Sequence, residues 1–129
     1  MEVRMALSNY LADALLDHTL TNTAYTSPTT VYLALYSVVT DANDSGTEVT
    51  GGSYARQAVT FGAAVDGVAI SSGAVQFTGM PATDVVGSGI YDALSGGNLL
   101  HFAAFTLALS VAAGSDFDVP LADIVAVMR

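Results

Sequence analysis

The sequence predicts a mainly β fold: an antiparallel β-sandwich or barrel of about eight strands, preceded by one N-terminal amphipathic helix. Three observations predict it. From Thr30 onward, apolar residues fall at alternate positions or in short unbroken runs, the marks of half-buried and fully buried strands. Turn signals such as Ser72-Gly73, Gly96-Gly97 and Gly114-Ser115 separate these runs at roughly the 8–12-residue spacing of sandwiches and barrels. Helical spacing of apolar residues occurs early, in Leu7 to Leu20.

Residues 1–20 read as a short arm, Met1 to Arg4, followed by that helix. Ser8 is its predicted N-cap, because a hydroxyl there accepts a bond from an otherwise unpaired first-turn N–H. Leu7, Leu11, Ala14, Leu15 and His18 share one face, opposite the more polar Asn9, Asp13 and Asp17. Leu16 and Leu20 widen the stripe, so the helix is expected to meet more than one surface. The run from Thr19 to Thr30, with Pro28, ends it. The sandwich then occupies residues 29–129. Thr30 to Ser37 alternates Val31, Leu33 and Leu35 with Tyr32, Ala34 and Tyr36, so both faces of this strand are predicted to be covered. Asp41 to Ser53 is a loop rich in Asp, Asn, Ser and Gly. Further strands are expected at Gln57–Phe61, Gly67–Ile70, Ala74–Phe77, Val85–Tyr91, Asn98–Leu109 and Leu121–Met128, all within a single domain of 129 residues.

Hydrophobic residues make up 52% of the chain and charged residues 12%, about half the charged share usual in soluble domains. Such a chain has too few ionised groups to coat a folded monomer. A membrane helix would need about 18 consecutive apolar residues, and the best stretch, Leu99 to Val111, is interrupted by His101, Thr106 and Ser110. The expectation is therefore a subunit whose apolar surface is covered by neighbours. Ten Asp and two Glu stand against three Arg and no Lys, for a formal charge of −9. That charge repels phosphate, so no nucleic-acid partner is expected. Cysteine is absent, which removes disulfides and thiolate metal sites. Met1 to Leu20 lacks the unbroken apolar stretch of a secretion signal, so the sequon at Asn43-Asp44-Ser45 carries no weight.

Catalytic and metal-binding patterns are thin. His18 and His101 lie on separate elements, and a metal centre needs three or four convergent ligands. Gly51-Gly52-Ser53-Tyr54-Ala55 resembles a nucleophilic-serine turn, yet it sits between loop and strand, not between strand and helix. Asp41-Ala42-Asn43-Asp44-Ser45-Gly46 begins like a calcium loop, but the twelfth position is Gly52 where a bidentate Glu is required; a polar turn is expected. Asp116 and Asp118 share one face of a short extended run without an aromatic-lined cleft. Gly87-Ser88-Gly89-Ile90-Tyr91-Asp92 fails the dinucleotide fingerprint at its last position. No catalytic residues, metal or cofactor are expected, and no enzymatic activity. Arg56, an isolated cation beside Tyr54 at the start of an apolar strand, has two readings. It forms either an intradomain ion pair that pins the long loop or a pair across a subunit boundary.

Several blocks together carry a resemblance. They are Leu7-Ser8-Asn9-Tyr10-Leu11 with Ala14-Leu15-Leu16-Asp17-His18, Thr29-Thr30-Val31-Tyr32-Leu33-Ala34-Leu35, Gly46-Thr47-Glu48-Val49, Gly51 through Phe61, Gly89-Ile90-Tyr91-Asp92-Ala93, and Ser95 through Leu100. From Met5 onward the chain resembles small tailed-bacteriophage virion structural proteins, of the kind called tail-fibre-like or head decoration (cement) proteins. The resemblance implies a virion location and leaves head or tail open. A shaft or receptor-binding tip calls for a repeat or an elongated region, which this chain lacks. A compact acidic domain with much apolar surface suits a cement protein on the outer face of the capsid. The expected partners are then other copies of the chain, most simply in a trimer, and the major capsid protein. The alternative is a tail or baseplate component bound to tail proteins. The helix and the loop Asp41–Ser53 are the expected contact elements, with Tyr10, Leu11, Leu15, Asp44, Glu48, Tyr54 and Arg56 as the candidate interface residues.

Overall fold

A computed structural model describes residues 2–128. The fold is mainly β, with ten strands and one helix among the described residues. The strands are β1 (Val3–Leu7), β2 (Val31–Val38), β3 (Thr47–Glu48), β4 (Gln57–Val59), β5 (Val68–Ile70), β6 (Val75–Phe77), β7 (Thr83–Tyr91), β8 (Leu99–Val111), β9 (Phe117–Val119) and β10 (Ile124–Val127). The helix α1 is Asn9–Leu20. Eight strands form one sheet path in the order β3-β2-β7-β8-β1-β10-β5, with β4 sharing the outer edge of β2, and β6 pairs with β9 as a separate ribbon. The predicted fold class stands, with two refinements. The path is open: beyond β4 and β5 its two ends meet at one bridge, Phe61 with Ser71, so no barrel closes. Pairing is antiparallel except between β1 and β10, which run parallel.

The sequence reading leaves residues 1–4 as an arm; the structure instead builds Val3 and Arg4 into β1, while Met1 lies outside the described residues. Val3 and Met5 are buried and Arg4 is exposed, a period-2 pattern too short to stand out ahead of a helix. β1 also joins two parts of this sheet. Its Ala6 and Leu7 pair with Phe102 and His101 of β8, whereas Val3–Met5 pair with Ile124–Ala126 of β10. The other unanticipated strand, β3, is two residues long, and the short extended run around Asp116 and Asp118 is the three-residue β9.

Helix α1 starts where the sequence predicts. The Ser8 side chain accepts a bond from the Leu11 N–H at 3.1 Å and donates to the Leu99 carbonyl at 2.5 Å. The Ser8 N–H donates to the Leu100 carbonyl at 2.9 Å. These acceptors are offered at an irregularity in β8: Ile90 pairs with His101 and Tyr91 with Leu99, which leaves Leu100 as an inserted residue. Ser8 therefore both caps the helix and bonds it to the sheet.

β2 is covered on both faces, as its unbroken apolar run predicts. Leu33 and Leu35 enter the larger core with Val3, Met5, Leu11, Phe77, Met80 and others. Ala34 and Tyr36 enter a smaller cluster with Tyr91 and Leu99 on the opposite face. The β6–β9 ribbon closes over the larger core, where the Phe77 ring stacks on Tyr54 (5.7 Å between centroids) and meets Phe117 edge-on (6.3 Å).

Candidate functional site

The densest polar arrangement surrounds Arg56, just before β4. In a chain this poor in cations, Arg56 is 9% exposed. Its Nε and Nη2 donate to the two carboxylate oxygens of Glu48 at 3.0 and 2.9 Å, a bidentate fork. Its Nη1 donates to the Ala93 and Gly96 carbonyls at 2.9 and 2.7 Å. Its central carbon lies 3.7 Å from the centre of the Tyr91 ring. Of the two sequence readings of Arg56, the intradomain ion pair is the one present. It ties the long loop, through Glu48 on β3, to the turn that follows β7.

Two tyrosine systems complete the cluster. The Tyr54 hydroxyl donates to Glu48 at 2.7 Å and accepts from the Leu35 N–H at 2.9 Å. The Tyr91 hydroxyl donates to Asp44 at 2.7 Å, so its single proton is committed there. Tyr36, bonded to the Tyr91 oxygen, must then be the donor of that pair. The chain of donors runs Tyr36, Tyr91, Asp44 and ends on a carboxylate. Asp44 sits at φ 60°, a left-handed conformation that Asp tolerates better than most residues. Burial pushes the Tyr36 phenol up to about 12. Burial also raises the Tyr54 and Tyr91 phenols, helped by the nearby carboxylates. Burial alone would lower the Arg56 guanidinium, but the bonds and charge of Glu48 outweigh it and hold it above its ordinary value. Gly89 is required beside this cluster, since a Cβ there would lie 2.9 Å from the Tyr36 ring and hydroxyl. The network has the chemistry of a structural lock. Its one arginine and three phenols are held in the protonated form, and its basic groups are engaged internally.

The candidate interface residues therefore separate into groups. Asp44, Glu48, Tyr54 and Arg56 are brought together in the lock. Leu11 is 6% exposed and faces the core, and Leu15 is half-buried against it. Tyr10, 45% exposed, lies outside the lock and lines a surface cleft with Asn43, Asp44 and Asn98. The sequence singled out Tyr54 and Arg56 but not Tyr36 and Tyr91, which complete the lock from neighbouring strands.

His18 is exposed, with its ring Nδ1 within 3.2 Å of the Thr23 carbonyl. His101 lies in β8 with a buried Nδ1 that has no hydrogen-bond partner among the described residues, and burial lowers its pKa. No three His, Asp or Glu are grouped to hold a metal among the described residues. The Asp41 loop is a polar turn in which the Asp41 carboxylate accepts from the Asn43 N–H at 2.9 Å. Ser53 occupies the turn before Tyr54, its N–H bonded to the Gly79 carbonyl.

The surface is unusually apolar. Eleven large apolar side chains are exposed among the described residues, including Leu20 at 76% and Leu107 at 71%. Leu16 and Leu20 lie one turn apart on α1, beside the face that packs on the sheet. Among the described residues, no helix is long and apolar enough to cross a membrane.

A comparison with curated proteins finds no match. A family model described as Podophage GP4 fiber I protein gp80 matches residues 6–126, which spans α1, the Arg56 lock and nearly the whole sheet. The chain belongs to that family, and is a phage fibre or virion structural protein.

Proposed function

We propose that the chain is a fibre-associated subunit of a podophage tail. It acts by assembling with further copies of itself and with tail proteins, not by catalysis. The observation that carries this reading is the pairing of an apolar exposed surface with a depleted set of surface charges. Leu16, Leu20, Leu94, Leu107 and Leu121 are open to solvent in the isolated chain, and only three Arg and no Lys are present to balance twelve acidic residues. Burying such side chains contributes roughly 1.5–3 kcal/mol each when fully covered, and standard interfaces cover about 800 Å² per partner. The family description favours the tail over the capsid cement role that compactness and acidity suggest. Without a sequence repeat, the chain fits a compact joint or cap of a fibre better than its shaft.

The lock supports the same reading. It satisfies the buried Arg56 within the chain, so assembly falls to apolar contacts. Leu11 and Leu15 are unsuitable for testing this, since they pack inward and their replacement would unfold the domain. Leu16→Asp and Leu20→Asp should leave the far-ultraviolet spectrum and the unfolding midpoint nearly unchanged, while lowering the oligomeric mass measured by light scattering. For location, quantitative densitometry of purified virions, with gold-labelled antibody, should give tens of copies at the tail. Hundreds of copies over the head would return the capsid cement role in its place.

A further inference from the structure

We propose that Val3–Met5 is an exchangeable strand, which in the assembled protein docks on β10 of a neighbouring copy. This deepens the reading of the chain as a self-assembling subunit and rests on it. β1 is divided between two attachments. Ala6 and Leu7 pair with β8, next to Ser8, whose N–H and hydroxyl both bond the β8 backbone. Continued in that register, the ladder would set Glu2, Val3 and Arg4 opposite Thr106, Phe105 and Ala104. Instead the two strands part, and a cavity of about 280 Å³ lies between those same six residues. Val3–Met5 are left paired along one edge only, to β10, in the one parallel ladder among the described residues.

The point where β1 leaves β8 is thus a pivot, with everything after it fixed and the three residues before it turned toward β10. The connection to α1 is a single residue, Ser8, in extended conformation (φ −70°, ψ 161°). The hinge itself is the Met5–Ala6 link, with no loop between the two attachments, and so short a hinge favours exchange between copies. The occupant of the β10 edge is identified by fit. The edge already receives the buried side chains of Val3 and Met5, at 8% and 2% exposure, and the Val3 N–H bonds the Asp123 carbonyl. The same segment of a second copy would make the same contacts, so exchange sacrifices none of them. Reciprocal exchange yields a twofold dimer, and head-to-tail exchange closes a ring.

The test uses the absence of native cysteine. Arg4 and Val125 are register partners across β1 and β10. The full-length double variant Arg4→Cys, Val125→Cys is oxidised mildly and run on a non-reducing denaturing gel, with intact-mass measurement and thiol titration. The two single variants are also refolded together. Exchange predicts that most linked protein shifts from monomer to dimer and larger bands, and that the mixed single variants give a covalent heterodimer. A monomer-mass product with both thiols consumed overturns the proposal. Unreacted thiols overturn it too, because the pairing itself would then be absent. Sedimentation of the unmodified protein separates the two failures. Oligomers with an intrachain link sink the exchange alone, whereas a monomer at all concentrations sinks the self-assembly on which it rests.

Discussion

Position 56 carries one of three arginines into a site that nearly excludes water, where a cation survives only if its charge and donors are met. Glu48 meets the charge, and two carbonyls with the Tyr91 face meet the rest. Arg56→Ala should therefore cost about 1–3 kcal/mol, because it leaves the part-buried Glu48 carboxylate with the Tyr54 hydroxyl but without its charged partner. Arg56→Lys should recover only part of this, because an ammonium has no planar fork. Urea denaturation of both variants checks the order. His101 makes a pH-dependent prediction. Burial sets its folded pKa below the ordinary 6.5, so the unfolded chain binds the proton first. Stability should be complete above pH 6.5 and fall on acidification, by at most about 1.4 kcal/mol per pH unit for this one group. His101→Gln should flatten the change in urea midpoint between pH 7 and pH 5; an unchanged slope would show that His101 is not its source. Sequence exposed the oddity of Arg56 and its nearness to Tyr54 but not the rest of the lock. Tyr36 and Tyr91 are 55 positions apart, and Tyr91 and Asp44 are 47 apart. Only the pairing of β2 with β7 brings them together.

A helix of twelve residues with one fully buried side chain, Leu11, derives little stability from its own packing. Its position depends on Ser8, which satisfies the Leu11 N–H while bonding two successive β8 positions. Ser8→Ala should remove an N-cap worth roughly 1 kcal/mol and leave a buried carbonyl short of a donor. The combined loss should be about 2–3 kcal/mol by chemical denaturation. Ser8→Thr, which keeps the hydroxyl, should lose less. A loss below 0.5 kcal/mol, within the range of ordinary surface substitutions, would mean that α1 is anchored by packing instead. This cap was legible because a hydroxyl just before a helical apolar stripe has few other uses. The long strands were legible for a related reason: β2 and β7, and the first half of β8, carry runs whose apolar residues must go inward. The short ones were not. Thr47–Glu48 in β3 has no period to read, and it becomes a strand because Tyr36 and Val38 of β2 offer it an edge. β1 hid its two buried residues within five, ahead of a stronger helical signal.

For the molecule as a whole, two long-range terms oppose each other as copies approach. Each copy carries a formal charge of −9, with two His counted as neutral, so bringing copies together costs Coulomb energy that grows as ions are removed. The exposed leucines favour association, and salt weakens that term little. The positive groups available to bridge copies are few. Arg56 is spent inside the lock, and Arg4 is bonded to Glu2 at 3.0 Å. Raising sodium chloride from about 20 mM to 500 mM shortens the screening length from about 20 Å to about 4 Å. Like-charge repulsion is then lost while apolar burial remains. The association constant measured by sedimentation equilibrium should rise across that range, and the unfolding midpoint of the assembled form should rise with it by mass action. An interface built on ion pairs would weaken over the same range, because screening removes attraction as readily as repulsion. The sign of the salt response therefore separates assembly through the leucine surface from assembly through charge. A fall in the constant would point to an interface held by ion pairs between copies.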